Sequence, residues 1–101
     1  MIYHVLEADE QARIDEGRET PFTFCLPEGA CADDAEAAKR LHEAVEEVSA
    51  WLALRGVGGV HADGARGRLW TDREESGKAF IYLMDRYPVK RHQGHNLVDI
   101  G

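Results

Sequence analysis

The longest periodic stretch of the sequence runs from Asp33 to Arg55 and reads DDAEAAKRLHEAVEEVSAWLALR. Its apolar positions are three or four residues apart, at Ala35, Ala38, Leu41, Val45, Val48 and Leu52. That period predicts an α-helix with one apolar stripe, which we expect Trp51 to widen. Asp33 or Asp34 can cap its amino end, and Gly56 follows in the place of a left-handed C-terminal residue. At 1.5 Å per residue the helix would be about 34 Å long, enough to cross a whole face of a small domain.

The side of this helix opposite the apolar stripe is acidic. Glu36 and Arg40 are four residues apart, in the order that favours an ion pair. Glu43, Glu46 and Glu47 have no base three or four residues further along the chain. Like charges on one turn repel each other by a few tenths of a kcal/mol per pair, and a basic partner would offset that cost. We therefore expect Glu36, Glu43, Glu46 and Glu47 to bind a partner.

Strand patterns flank the predicted helix. Residues 20–26 alternate between apolar and polar side chains and end at a proline, which is typical of a strand. Residues 68–71 and 79–84 are separated by the polar segment 72–78, and this spacing favours an antiparallel hairpin. Because residues 80–84 are apolar on both faces, we expect them to form a central strand under the helix.

The remaining segments carry weaker patterns. Residues 2–6 read as a further strand, and residues 7–16 as a short helix capped by Gly17. Residues 89–101 form either an edge strand or a mobile tail. The predicted fold is therefore α+β, in one domain over residues 1–101. It has an antiparallel β-sheet of three to five strands, with one long amphipathic helix packed on one face.

Length and composition exclude several classes of protein. With 101 residues, the chain is too short for an eight-stranded α/β barrel or for a dinucleotide fold with a second domain. A hydrophobic content of 44% is sufficient for a small core and argues against disorder.

The net charge of -7 is unevenly distributed. Residues 1–50 hold thirteen acids and four bases, a net charge of -9, whereas residues 51–101 hold six acids and eight bases, a net charge of +2. Such asymmetry is a hint about binding partners.

The sequence favours a cytoplasmic protein without a membrane anchor. Its first residues lack the basic and apolar segments of a signal peptide, and no apolar run approaches the ~20 residues that span a bilayer. Cys25 and Cys31 are separated by five residues, unlike common redox or zinc pairs. We expect both to be reduced thiols.

Two groups of residues are candidates for chemistry. His92 and His95, three residues apart, could share a metal ion, although the neighbouring Lys90 and Arg91 oppose cation binding. Cys25 or Cys31 could be a nucleophile paired with a histidine, and the start of the helix would lower the pKa of Cys31. The available histidines are His4, His42 and His61. Because neither group has a specific signature, we expect no metal, no cofactor and no enzyme activity, and a small enzyme or metal-binding protein remains an alternative.

A second alternative is a nucleic-acid-binding module that uses the basic C-terminal hairpin. Basic residues interleaved with aromatic ones can form a stacking surface. The residues in question are Arg66, Arg68, Trp70, Arg73, Lys78, Tyr82, Arg86, Lys90 and Arg91. The negative net charge and the interleaved acids argue against this alternative.

The interpretation that we favour is a non-enzymatic protein-binding module. Its acidic helix, backed by the acidic segment 7–19, would mask a basic, nucleic-acid-binding surface of a protein partner as a phosphate mimic. In size and charge the chain is similar to small acidic single-domain proteins that belong to mobile genetic elements, including anti-CRISPR inhibitors. That similarity implies an inhibitor of a nucleic-acid-handling complex.

Overall fold

The computed structural model describes residues 1–92 and 94–101, which form an α+β fold with three α-helices and a five-stranded mixed sheet. The helices are α1 (Ala8–Asp15), α2 (Asp34–Leu54) and α3 (Ser76–Met84). The strands are β1 (Glu19–Cys25), β2 (His61–Asp63), β3 (Arg68–Asp72), β4 (Val89–His92) and β5 (His95–Asp99). Among the described residues, no helix is both long and apolar enough to cross a membrane.

The long helix α2 confirms the main prediction. The Asp33 carboxylate accepts a hydrogen bond of 2.8 Å from the backbone N–H of Glu36 and so caps the helix. The buried stripe consists of Ala37, Leu41, Val45, Val48, Ser49 and Leu52. Ala35 and Ala38 are exposed, contrary to the prediction. Alanine is tolerated in either environment, so its position carries little information about which side of a helix is buried.

The sheet has the strand order β2-β3-β1-β5-β4, and its central pair corrects the predicted topology. β3 pairs antiparallel with β1 and β2, and β4 pairs antiparallel with β5. β1 and β5, however, run parallel, so the predicted all-antiparallel sheet is wrong at this point. A parallel pair needs a long crossover connection, and here that connection contains α2 and α3. Residues 89–101 are therefore not a single edge strand, since β5 lies inside the sheet. Within this range, Gln93 lies outside the described residues.

The predicted hairpin of residues 68–71 with 79–84 is also wrong, because residues 79–84 belong to α3. Ala79 and Leu83, four residues apart, are buried in the core, whereas Ile81 and Met84 face outwards. A short, continuously apolar run does not distinguish a buried strand from a packed helix. The prediction for residues 2–6 reduces to one bridge between Ile2 and Leu26.

The two faces of the sheet differ in chemistry. Alternate residues Phe22, Phe24, Leu69 and Val98 belong to the core cluster that α2 and α3 complete. The residues between them include Thr23, Arg68 and His95, which are buried and polar. α1 contacts this second face and supplies the buried Glu10. It is the short helix predicted before Gly17, whose φ is +77°.

Candidate protein-binding surface

The acidic outer face of α2 consists of Glu36, Glu43, Glu46 and Glu47, all of which are exposed. With 3.6 residues per turn, Glu36, Glu43 and Glu47 lie on nearly the same side of the helix, and Glu46 lies about a quarter of a turn away. From Glu36 to Glu47 the axial distance is about 16 Å. The buried stripe fixes this orientation, since it occupies the opposite side of the same helix.

The glutamates of this face have basic neighbours that the sequence prediction did not include. The ion pairs are Lys39–Glu43 at 4.0 Å and Arg86–Glu47 at 3.6 Å, and the ring of His42 lies 3.8 Å from the Glu46 carboxylate. Lys39 and His42 precede their acids on α2, and Arg86 follows α3. The prediction considered only bases that follow the acids on α2. Long, exposed pairs of this kind contribute little stability, and the face keeps an excess of negative charge.

Glu36 does not pair with Arg40 as predicted. Its carboxylate accepts a hydrogen bond of 2.7 Å from the backbone N–H of Ala32, just before α2. The Arg40 guanidinium instead donates to the carbonyl of Ala30 at 3.3 Å. No ion pair within the described residues therefore neutralises Glu36.

One apolar side chain continues the outer face of α2 beyond the acids. Leu54 is 86% exposed and lies about five turns after Glu36, on the same side of α2. On α3, Ile81 and Met84 lie one turn apart and are 66% and 57% exposed. Exposed apolar side chains can be covered by a protein partner.

Trp51, which we expected in the core, is only half-buried. The guanidinium carbons of Arg55 and Arg86 lie 4.2 and 4.8 Å from its ring centroid. Tyr82 meets the ring edge-on, with the centroids 6.1 Å apart. Trp51 thus joins α2 to α3 while its π face is held by cations.

Most acids of the segment 7–19 are paired with bases, so the segment adds little free charge to that of α2. Arg13 binds Glu19 through two hydrogen bonds of 2.5 and 2.8 Å, and the pKa of Glu19 is lowered mainly by this bond. Arg66 contacts Glu7 at 3.3 Å and Asp9 at 2.9 Å. Folding therefore mixes the acidic and basic halves of the chain on this side of the protein.

A buried polar cluster of Glu10, Thr23, Arg68 and His95 lies on the second face of the sheet. Arg68 is fully buried and donates two hydrogen bonds of 2.8 Å to Glu10. It also donates to the Thr23 hydroxyl at 3.0 Å and to the carbonyls of residues 4 and 5 at 2.7 and 3.2 Å. The Thr23 hydroxyl lies 2.8 Å from Nδ1 of His95. The cluster joins α1, the first residues of the chain and three strands.

The charge states in the polar cluster follow from these contacts. Burial alone raises the pKa of Glu10, but the hydrogen bonds from Arg68 and from the backbone outweigh it, so the net pKa lies below its ordinary value. Burial lowers the pKa of His95, and the positive charge of Arg68 lowers it further. Glu10 is therefore ionised and His95 neutral at neutral pH. Sequence reasoning placed Arg68 on an exposed basic hairpin, and no local pattern indicated its distant partner.

Both cysteines are free thiols. Burial raises the pKa of Cys25 to about 11, and its sulfur donates to the carbonyl of Val98 at 3.4 Å. The half-buried Cys31 accepts a contact of 3.6 Å from Arg40. Within the described part of the chain, neither thiol has a hydrogen bond to a histidine.

The predicted pair His92 and His95 is brought together, since the two residues face each other across β4 and β5 with ring centroids 6.2 Å apart. Tyr3 packs against both rings. The described residues contain no group of three or more ligating side chains that could hold a metal ion.

The structure does not place the basic and aromatic residues of the nucleic-acid alternative on one hairpin. Arg68 and Trp70 are fully buried, and Arg66 and Arg86 are engaged by acids. The lysines and arginines without an ion pair in the described part of the chain are Arg40 in the first half and Arg55, Arg73, Lys78, Lys90 and Arg91 in the second. Trp70 is covered by Arg13, whose guanidinium carbon lies 4.1 Å from the ring centroid, so the indole has no face for a base.

The fold and these sites define a small α+β protein with an acidic helical face and a buried ionic cluster. Comparisons with protein-family models, curated protein sequences and solved structures gave no significant match to this chain.

Proposed function

We infer that the protein is a non-enzymatic binding protein, acting in the cytoplasm, that masks a basic surface of a protein partner with the outer face of α2. The observation that carries this proposal is the display of Glu36, Glu43, Glu46 and Glu47 on one rigid, capped helix whose other side is buried. Rigid display matters because a preorganised surface loses little conformational entropy on binding.

The spacing of the acids supports a phosphate mimic. One strand of B-form DNA advances about 3.4 Å per phosphate, so the ~16 Å between Glu36 and Glu47 covers about five phosphate positions. Four carboxylates over that length give nearly one carboxylate per phosphate position, and Lys39 and Arg86 offset two of the charges in the free protein. Leu54, Ile81 and Met84 would supply apolar anchors beside the charges, which a nucleic acid does not offer. The sharpest form of the proposal is an inhibitor of a nucleic-acid-handling complex, similar in strategy to anti-CRISPR proteins.

Charge reversal of the outer face tests the proposal. The wild-type protein and its E43K/E46K/E47K variant are used to capture proteins from a lysate of the cells in which the protein naturally occurs. The affinity of each captured protein for labelled DNA is then measured with and without the purified chain. We expect to find a captured protein whose DNA binding is inhibited by the wild type. The variant should inhibit it at least about tenfold less, and inhibition by the wild type should weaken in high salt.

A matched control is D15K/E28K/E74K, which changes the net charge by the same amount at exposed positions away from α2. It should inhibit like the wild type, and circular dichroism should show all three proteins folded. Equal inhibition by the wild type and E43K/E46K/E47K, or captured proteins that bind no nucleic acid, would overturn the proposal.

A further inference from the structure

The structure assigns a binding site for a phosphate monoester to a cleft at the end of the sheet where β1 and β5 begin. This cleft, which we call the arginine cleft, has a volume of about 350 Å³. It is lined by Thr20, Arg73, Ser76, Gly77, Phe80, Arg91 and Asn96. A volume of this size falls within the range of small-molecule sites.

The charge of the arginine cleft is opposite to that of the protein. Arg73 and Arg91 both line it, and no carboxylate does. Neither arginine forms an ion pair within the described part of the chain, although the protein carries an excess of seven negative charges. Guanidinium groups bind phosphate through paired hydrogen bonds, and a dianionic monoester would neutralise both arginines.

The nearest acids do not cancel this charge. Glu19 lies beside an adjoining hollow that also contacts Arg73 and Arg91, but it is bound on both oxygens by Arg13. Asp72 and Glu74 line a different hollow, which shares Arg73 with the arginine cleft, and neither forms an ion pair with Arg73 within the described part of the chain. The two arginines therefore retain a free charge on the cleft side.

Asn96 gives the second, independent indication of a ligand. It is 4% exposed, yet its Oδ1 has no hydrogen-bond partner among the described residues. A buried amide oxygen without a donor costs roughly 1–3 kcal/mol. Because this oxygen only accepts hydrogen bonds, a hydroxyl or amino group on the organic part of the ester would satisfy it, not the phosphate itself. Asn96 lies opposite Arg91 and beside Phe22 in the sheet register, on the face that carries α3. The amide is thus part of the cleft floor.

The remaining lining fits an esterified phosphate. Thr20 contributes a hydroxyl group that can donate to a phosphate oxygen. The Ser76 hydroxyl donates to the carbonyl of Arg73 at 2.7 Å, so its oxygen remains to accept from a donor on the organic part of the ester. Phe80 supplies an apolar wall on which the organic part of the ester can pack. No residue of α2 lines the site, so the proposal does not depend on the protein-masking function.

Titration with four probes tests the site. Adenosine monophosphate and adenosine compare a phosphate monoester with the same molecule lacking it, and pentathymidylate with and without a 5′-phosphate repeats the comparison on a nucleic acid. Binding is followed by calorimetry and by the side-chain amide signal of Asn96 in ¹H–¹⁵N spectra. We expect each phosphorylated probe to bind and to shift that signal, and its counterpart to do neither. The tighter of the two phosphorylated probes identifies the source of the phosphate.

The variants Arg73→Gln and Arg91→Gln should each weaken binding by about tenfold or more, and both should fold because the two side chains are exposed. Arg55→Gln, which removes the same charge from the end of α2, should bind like the wild type. Absence of binding by both phosphorylated probes, equal binding of the unphosphorylated oligonucleotide, or affinities unchanged by Arg73→Gln and Arg91→Gln would each overturn the proposal.

Discussion

Replacement of Arg68 by methionine should destabilise the protein more than any other single change to a charged residue. Arg68→Met preserves most of the side-chain volume but removes the bidentate partner of Glu10, which is only 2% exposed. It also leaves the Thr23 hydroxyl and two backbone carbonyls without their donor. Breaking a buried ion pair on one side costs roughly 3–5 kcal/mol. At about 4–8 °C per kcal/mol for a domain of this size, the melting temperature should fall on the order of 20 °C.

The measurement is urea unfolding by circular dichroism for the wild type, Arg68→Met, Glu10→Met and the double variant, in sucrose so that weakened variants stay folded. Each single variant should lose several kcal/mol, whereas the double variant should lose much less than the sum, because it leaves no unpaired buried charge. Arg18→Met is the control, since its exposed pair with Glu16 should cost about 1 kcal/mol or less. A loss below about 1 kcal/mol for Arg68→Met, or additivity within about 0.5 kcal/mol, would refute this account of the cluster.

Three further predictions concern individual residues. The pKa of His95 is lower in the folded protein than its ordinary value of 6.5. As the pH falls, His95 is therefore protonated at a higher pH in the unfolded chain than in the folded protein. The free energy of unfolding should therefore decrease from about that pH downwards, and less steeply in His95→Gln; equal pH profiles in urea titrations would contradict this. Gly59→Ala should reduce the melting temperature by several degrees, since φ is +68° and a Cβ would lie 2.1 Å from the Asp72 carboxylate. A thiol reagent at pH 8 should leave Cys25 unmodified in the native protein, because its pKa is raised to about 11, and mass spectrometry after brief treatment checks this.

The elements that the sequence predicted well are those with a local signal. The 3.6-residue period and the Asp33 cap define α2, and the alternation of residues 20–26 with the following proline defines β1. α3 was mistaken for a strand because its apolar run is short, and because its buried side chains and the exposed Ile81 and Met84 are equally hydrophobic. The run therefore shows no polar side from which a helical period could be recognised.

The features that sequence reasoning missed depend on contacts between distant residues. Parallel pairing of β1 with β5 joins opposite halves of the chain, and nothing near either strand specifies it. Arg68 looks like a surface base until Glu10 is placed beside it by α1. The outer face of α2 was located correctly from periodicity. Its neighbour Arg86 could not be predicted, because this residue reaches Glu47 only through the packing of the chain after α3 against α2.

The position of β5 between β1 and β4 also affects how the chain is made. β1 leaves the ribosome early and can pair with β3 as soon as that strand follows, but its other edge waits for residues 95–99. During that interval the nascent chain presents an unpaired strand edge bearing Phe22 and Phe24, the kind of edge at which chains associate wrongly. The strand that comes last in this sheet thus closes it, and the yield of native protein should depend on how long the free edge of β1 remains unprotected.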